Sequence, residues 1–164
     1  MTATDIAQKY VALCKEGKNE ECLNTLYAKD AVSVEAVSPP SGEDRVASGL
    51  DAIRAKSKTW GEQNTVHKAE VAGPYPNEDR FAVRFTYDIT NKPSGQRMTM
   101  DEIGLFTVKN GKITREEFFY DMSGGGEVKE PTAKPRKKAK KAAAKKKAPK
   151  AKAKPKAKAR SRRR

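Results

Sequence analysis

Glu102, Glu117 and Asp121 are the residues of this sequence best suited to acid–base chemistry. A proton-transfer site needs one carboxylate desolvated enough for its pKa to climb toward neutrality. It also needs a hydrogen-bond donor for the negative charge that develops on the substrate. The three acids lie on two β-patterned segments, "QRMTMDEIGLFTV" and "KITREEFFYDM", joined at Asn110-Gly111. Asn-Gly between apolar strands is a hairpin signal, because a type I′ turn needs positive φ at both central positions. Opposing Lys109 to Lys112 predicts a register in which Val108 faces Ile113, Phe106 faces Arg115, Gly104 faces Glu117, Glu102 faces Phe119 and Met100 faces Asp121. Glu102, Glu117 and Asp121 then share one face with Arg115 nearby, and a buried pair among them could share a proton. The alternative is an ion pair of Arg115 with Glu117, solvated or interfacial, with Asp121 closing the strand. Asp101 and Glu102 are adjacent, point to opposite faces and form no dyad.

Other residue types are set against plainer roles. Trp60, Tyr87, Phe106 and Phe119 are the candidate lining of a ligand pocket, the alternative being ordinary core packing. His67 stands on a strand and could act as a base beside Glu35 or Glu70, or be a structural histidine with satisfied hydrogen bonds. Five tyrosines could supply a phenol donor, and nothing in the pattern chooses among them. Cys14 and Cys22 fall on expected helices and read as small, reduced, buried or half-buried thiols. No metal-ligand spacing and no phosphate loop is present, so neither metal nor cofactor is expected. "SGGGE", at 123–127, reads as a hinge.

The elements that must position these groups follow from periodicity. "TDIAQKYVALCKE" and "NEECLNTLYAK" carry apolar residues at helical spacing, with Thr4 and Asn19 as expected caps. "AVSVEAV", at 31–37, reads as a strand, and "SGLDAIRAKSKTWGEQ" as a third helix with Leu50, Ile53, Ser57 and Trp60 on one face. From residue 65 four antiparallel strands are expected: "TVHKAEVAG", ended by the breaker "PYPNED", then "RFAVRFTYDIT" and the two hairpin strands. The fold class is α+β: a cone of three helices packed on a curved, mostly antiparallel sheet, with a pocket between the layers. Both hairpin faces carry large apolar groups, so a second subunit is expected to cover the outer one, making a homodimer.

"LYAKDAV", "SGLDAIR" and "GQRMTMDEIGLFTVKNGKITREEFFYD" resemble the landmarks of SnoaL-like domains, in the nuclear transport factor 2-like superfamily that includes the ketosteroid isomerases. The resemblance covers about residues 4–122. It implies the cone fold with a central pocket, and a function among cyclases, isomerases, dehydratases and ligand- or partner-binding members. Polyketide cyclases of the family usually carry His-Trp-Asp in the last strand. The matching positions here are Glu116, Glu117 and Phe118, so histidine and aspartate are missing. That departure argues against a cyclase reading.

Charge divides the chain. Through Val128 there are 16 basic and 20 acidic residues; from Lys129 onward there are 19 basic and one acidic. The chain is therefore read as a SnoaL-like domain at 1–122, a flexible linker at 123–131 and a disordered basic tail at 132–164. The tail is built from Lys, Ala, Pro and Arg and resembles those of linker histones. Its candidate phosphate-binding groups are Lys137, Lys138, Lys140, Lys141, Lys145, Lys146, Lys147, Lys150, Lys152, Lys154, Lys156, Lys158, Arg160, Arg162, Arg163 and Arg164. Closely spaced lysines match a line of phosphates and release counterions on binding. No aromatic residue interleaves them, so base stacking is unavailable and sequence-nonspecific binding is expected, to DNA before RNA. No basic leader with an apolar core and no membrane-spanning run is seen, which implies an intracellular protein without a membrane partner. Its expected place is nucleoid or nucleus, otherwise cytoplasm. Two functions follow. The first is a non-enzymatic or ligand-binding domain tethered to DNA or chromatin by its tail. The alternative is a small SnoaL-like isomerase- or cyclase-type enzyme acting on a hydrophobic carbonyl compound, its chemistry an isomerase- or lyase-type proton transfer, with the tail for localisation.

Overall fold

The computed structural model describes residues 1–38 and 44–121. The expected linker and tail lie outside the described residues.

Helix α1 (Ala3–Lys15) opens with a capping box: the Thr2 hydroxyl accepts from the Asp5 N–H while the Asp5 carboxylate accepts from the Thr2 N–H. The cap is Thr2 rather than Thr4, because Asp5 at the third helical position completes the reciprocal pair. Gly17, at φ 71°, ends the helix in a Schellman-type turn, with the Lys18 N–H reaching the Leu13 carbonyl at 2.9 Å. Helix α2 (Asn19–Leu26) follows directly, and Lys18, not Asn19, stands at its cap without a side-chain bond. Strand β1 (Tyr27–Val34) begins earlier than its β-branched run suggests, and takes in Tyr27 from the expected helix. Then come β2 (Val46–Ser48), α3 (Leu50–Gln63), β3 (Asn64–Asn77), β4 (Arg80–Asn91), β5 (Gln96–Lys109) and β6 (Lys112–Phe119).

The sheet is curved and open, in the order β2-β1-β6-β5-β4-β3. All neighbours are antiparallel except β1 and β6, which run parallel with Ser33 opposite Glu116. Strand β3 continues through "PYPN", where the sequence predicted a stop. The reason is its place at the sheet edge, where Pro74 and Pro76 need donate no ladder hydrogen bond. On α3 the inward residues are Ile53, Lys56 and Trp60, whereas Ser57 is exposed.

The three helices cover one face of the sheet. Alternation on β4 puts Phe81, Val83, Phe85 and Ile89 into this layer. Tyr10 of α1 meets Phe106 at 4.6 Å between ring centroids, and Phe106 stacks on Phe81 at 4.8 Å. Gly104 lies under this cluster. A Cβ there would stand 2.8 Å from the Phe106 ring and 3.2 Å from that of Phe85. Phe106 is fully buried and cannot swing away. Gly104→Ala is therefore expected to cost about 1–3 kcal/mol of stability, read from the urea midpoint at unchanged slope.

The hairpin forms at Asn110-Gly111, both with positive φ, 52° and 69°. Lys109 opposes Lys112 and Val108 opposes Ile113, as predicted. Beyond them the register differs. Thr107 pairs with Arg115, so Thr114 is an extra residue on β6, and its hydroxyl reaches the Thr107 carbonyl at 3.4 Å. This bulge shifts every later pairing by one: Phe106 faces Glu116, Gly104 faces Phe118 and Ile103 faces Phe119. A one-residue shift turns side chains to the other side of the sheet. Glu116, Phe118 and Tyr120 thus join Glu102 beneath the helices, and Glu117 and Phe119 move to the outer face.

Candidate acid–base site

The inward groups converge at one end of the helix-covered face. Alternation on β1 turns Ser33 inward, and Glu35 follows two residues on, just past the strand, with its N–H held by the Arg45 carbonyl at 2.9 Å. Helix α3 brings Lys56 down onto them. The Lys56 ammonium lies 2.6 Å from Glu35 Oε1, 2.5 Å from Ser33 Oγ and 3.5 Å from Glu116 Oε1. It also sits 4.6 Å above the Phe118 ring. Glu116 is 4% exposed and accepts a hydrogen bond from the Tyr27 hydroxyl at its other oxygen. The Tyr120 hydroxyl donates to Glu35 Oε2 at 3.0 Å. One ammonium therefore serves two carboxylates, and each carboxylate also holds a phenol.

Glu102 is different. It is half-buried and makes no hydrogen bond or ion pair among the described residues. Burial raises its pKa to about 7, helped by the negative charge of Glu35 and, less, of Glu116, while Lys56 pulls the other way. It opposes Phe85 in the ladder, two pairs along from Tyr87, whose ring lies 5.3 Å from that of Trp60. Burial and the nearby Glu102 charge push the Tyr87 phenol up, so it stays protonated as a donor. Tyr27, also desolvated and beside Glu116, is held neutral in the same way. Chemically this is a carboxyl poised between acid and base, an aromatic wall and neutral phenol donors, backed by a fixed ionic network.

Of the residues singled out in the sequence, Glu102, Trp60 and Tyr87 come together. Phe106 belongs to the core behind them, at 0% exposure. Glu117 points outward and pairs with Arg115 at 2.9 Å. Phe119 is exposed on that same side, and Asp121 is exposed just beyond β6. The bulge is the physical reason that none of these three meets Glu102. His67 stands on the surface with Nε2 at 2.8 Å from the Thr90 hydroxyl, away from Glu35. The basic tail residues lie outside the described residues. Sequence reasoning missed Lys56, Glu116, Glu35 and Ser33 as a unit. The signal was a lysine and a glutamate on otherwise apolar stripes, Lys56 between Ile53 and Trp60, and Glu116 between Ile113 and Phe118. Among the described residues no cluster of ligands suited to a metal occurs, and no helix is long and apolar enough to cross a membrane.

Three helices cupped by a curved open sheet, with polar groups converging inside, define the nuclear transport factor 2-like class of α+β domains. Residues 1–120 match the family model described as a SnoaL-like domain. The chain belongs to the SnoaL-like family. It is similar to a Mesorhizobium loti protein described as a candidate SnoaL-like polyketide cyclase, with 47% identity over 73% of this chain and 100% of that one, at a TM-score of 0.69. An NTF2-like protein of Burkholderia thailandensis shares the fold at 18% identity, covering 74% of this chain and 92% of the other, TM-score 0.63. A Bacillus subtilis protein described as a candidate isomerase does so at 18% identity, covering 74% and 90%, TM-score 0.59. No curated protein matches the chain.

Proposed function

We propose that the SnoaL-like domain is a proton-transfer enzyme of isomerase or cyclase type acting on a small hydrophobic carbonyl compound, with Glu102 as the group that takes and returns the proton. The observation that carries this reading is the inward Glu102 carboxyl, without a hydrogen-bond partner among the described residues and with a pKa near 7, beside the Trp60–Tyr87 wall. Tyr87 is the candidate donor to the developing enolate oxygen. The Glu35–Lys56–Glu116 network keeps the local potential negative, which keeps the Glu102 proton available near neutral pH. The 47% identical Mesorhizobium relative, described as a candidate polyketide cyclase, supports an enzymatic reading. Glu117 and Asp121 are not part of the proposed machinery. The test works without the substrate being identified. A panel of cyclic and aromatic ketones is incubated in deuterated buffer, and α-deuterium uptake is followed by mass spectrometry. Enzyme-dependent uptake that disappears in Glu102→Gln supports the reading. A compound that binds without exchanging would instead make the domain a ligand-binding member.

The basic segment from Lys129 supplies the second part: a tether to duplex DNA that localises the domain. Its support is the density of charge in the sequence, 19 basic residues against one acidic. Fluorescence anisotropy of a duplex should show tight binding by the full chain, with log K falling against log salt by roughly 0.9 per phosphate contacted. A chain ending at Val128 should not bind. Equal binding by both chains would sink the tether. The exposed Ile103 and Phe119, paired across β5 and β6 on the outer face, support self-association into a homodimer there. Light scattering of wild type and Phe119→Glu decides it.

A further inference from the structure

Away from the acid–base site, α1 and α2 bring the chain's two cysteines together. Cys14 Sγ and Cys22 Sγ lie 4.0 Å apart, across the turn at Gly17. Cys22 is buried at 2% exposure, and its thiol also faces the Tyr10 carbonyl at 3.8 Å. Cys14 is half-buried and packs against the edge of the core. The pair is thus asymmetric: Cys14 is partly exposed and Cys22 is enclosed. A disulfide needs the sulfurs near 2 Å, so each must approach by about 1 Å. The segment between them tolerates this. Helix α2 has eight residues and no side-chain cap at Lys18, so its first turn is the weakly held end.

We propose that Cys14 and Cys22 form a peroxide-oxidisable dithiol, with Cys14 as the attacking sulfur and Cys22 as the resolving one. The Cys14 thiolate attacks one oxygen of hydrogen peroxide. The O–O bond breaks, hydroxide leaves and takes up a proton as water, and Cys14 becomes a sulfenic acid. The Cys22 sulfur, losing its proton to the departing hydroxyl, then displaces a second water and closes the S–S bond. Two electrons pass from the sulfurs to peroxide, and a small dithiol reductant reverses the change. The contact with Cys22 lowers the pKa of Cys14, which favours the attacking thiolate there, while the same contact and burial hold Cys22 as a thiol. Closure removes the S–H that faces the Tyr10 carbonyl. Tyr10 packs 6.5 Å from Tyr27, the phenol that holds Glu116, so the oxidised bond forms one layer from the acid–base site.

The experiment treats the full chain with one equivalent of hydrogen peroxide under non-reducing conditions. Intact mass should fall by two hydrogens, and tryptic peptides 10–15 and 19–29 should appear joined, then separate with a dithiol reductant. In Cys14→Ser, and again in Cys14→Ala, loss of the Cys22 thiol should slow at least about tenfold. In Cys22→Ser the sulfenic acid on Cys14 should accumulate and be trapped by dimedone. Three results would overturn the proposal: Cys14 driven to sulfinic acid beside a free Cys22 in the wild type, cross-links between chains only, or Cys22 reacting equally fast without Cys14.

Discussion

Glu102→Gln is expected to lower enzyme-dependent α-deuterium uptake about 10²–10⁴-fold and, at the same time, to stabilise the fold at alkaline pH. Both effects come from one cause. The site removes water from a carboxyl and, among the described residues, gives it no hydrogen-bond partner. The folded state therefore prefers the neutral acid, with a pKa of about 7 against the ordinary 4.5. A folded chain that holds its proton more tightly than the unfolded chain gains stability that is full below 4.5 and is lost as pH rises through 7. Glutamine copies the neutral acid and has no charge to bury. Thermal melts of wild type and variant should coincide near pH 4, and above pH 8 the variant should be more stable by on the order of 2 kcal/mol. The rate of exchange in the wild type should rise with pH through the same range. Equal stability at all pH would mean that Glu102 is solvated, and the acid–base role would lose its basis. Carboxyl-carbon NMR of Glu102 reads the midpoint directly.

Glu116→Ala is expected to cost about 3 kcal/mol or more of stability, well beyond an ordinary surface substitution. Glu116 is 4% exposed and has a partner on each oxygen, the Tyr27 hydroxyl and the Lys56 ammonium. Truncation leaves the fully enclosed phenol without an acceptor and removes one of two countercharges from the ammonium. Glu116→Gln should cost less, because its amide oxygen still accepts from Tyr27. The double variant Tyr27→Phe/Glu116→Ala should be less destabilised than the sum of the single changes, since removing both partners leaves no orphaned group. Urea unfolding of the four chains closes the cycle. Additive losses would mean that the Tyr27–Glu116 bond contributes little to stability. Glu35→Gln should be milder than Glu116→Ala, because Glu35 faces solvent in part, with its side chain 20% exposed.

These two glutamates also mark where sequence reasoning reached and where it stopped. The α+β class, the three helices and the hairpin at Asn110-Gly111 follow from local chemistry: a 3.6-residue period, a 2-residue period and a dipeptide suited to positive φ. The inward stripe of β4 follows as well, from Phe81 to Ile89. Glu102 was legible as a candidate acid on the hairpin face that carries Phe106 and Val108, although which face turns inward was not. The partners assigned to it were not legible. Their choice depended on register, and register is decided by one extra residue at Thr114, which no local pattern announces. With the bulge, Glu117 faces Arg115 on the outside and Glu116 faces Lys56 on the inside.

The sequence by itself determined the types and order of the elements except the short β2, which it left unassigned, the apolar faces that must meet and the division of charge between the first 128 residues and the rest. Each of these depends on residues near one another in the chain. Only the tertiary structure decided that Tyr27, Ser33, Glu35, Lys56, Glu102, Glu116 and Tyr120 share one place, because they come from three separate strands or their ends and from one helix. Only it decided that Pro74 and Pro76 can stand in a strand, because that strand is an edge. A polar residue on an apolar stripe is a signal that sequence can raise. Its meaning is set by the group across the layer, and that group is chosen by packing rather than by spacing along the chain.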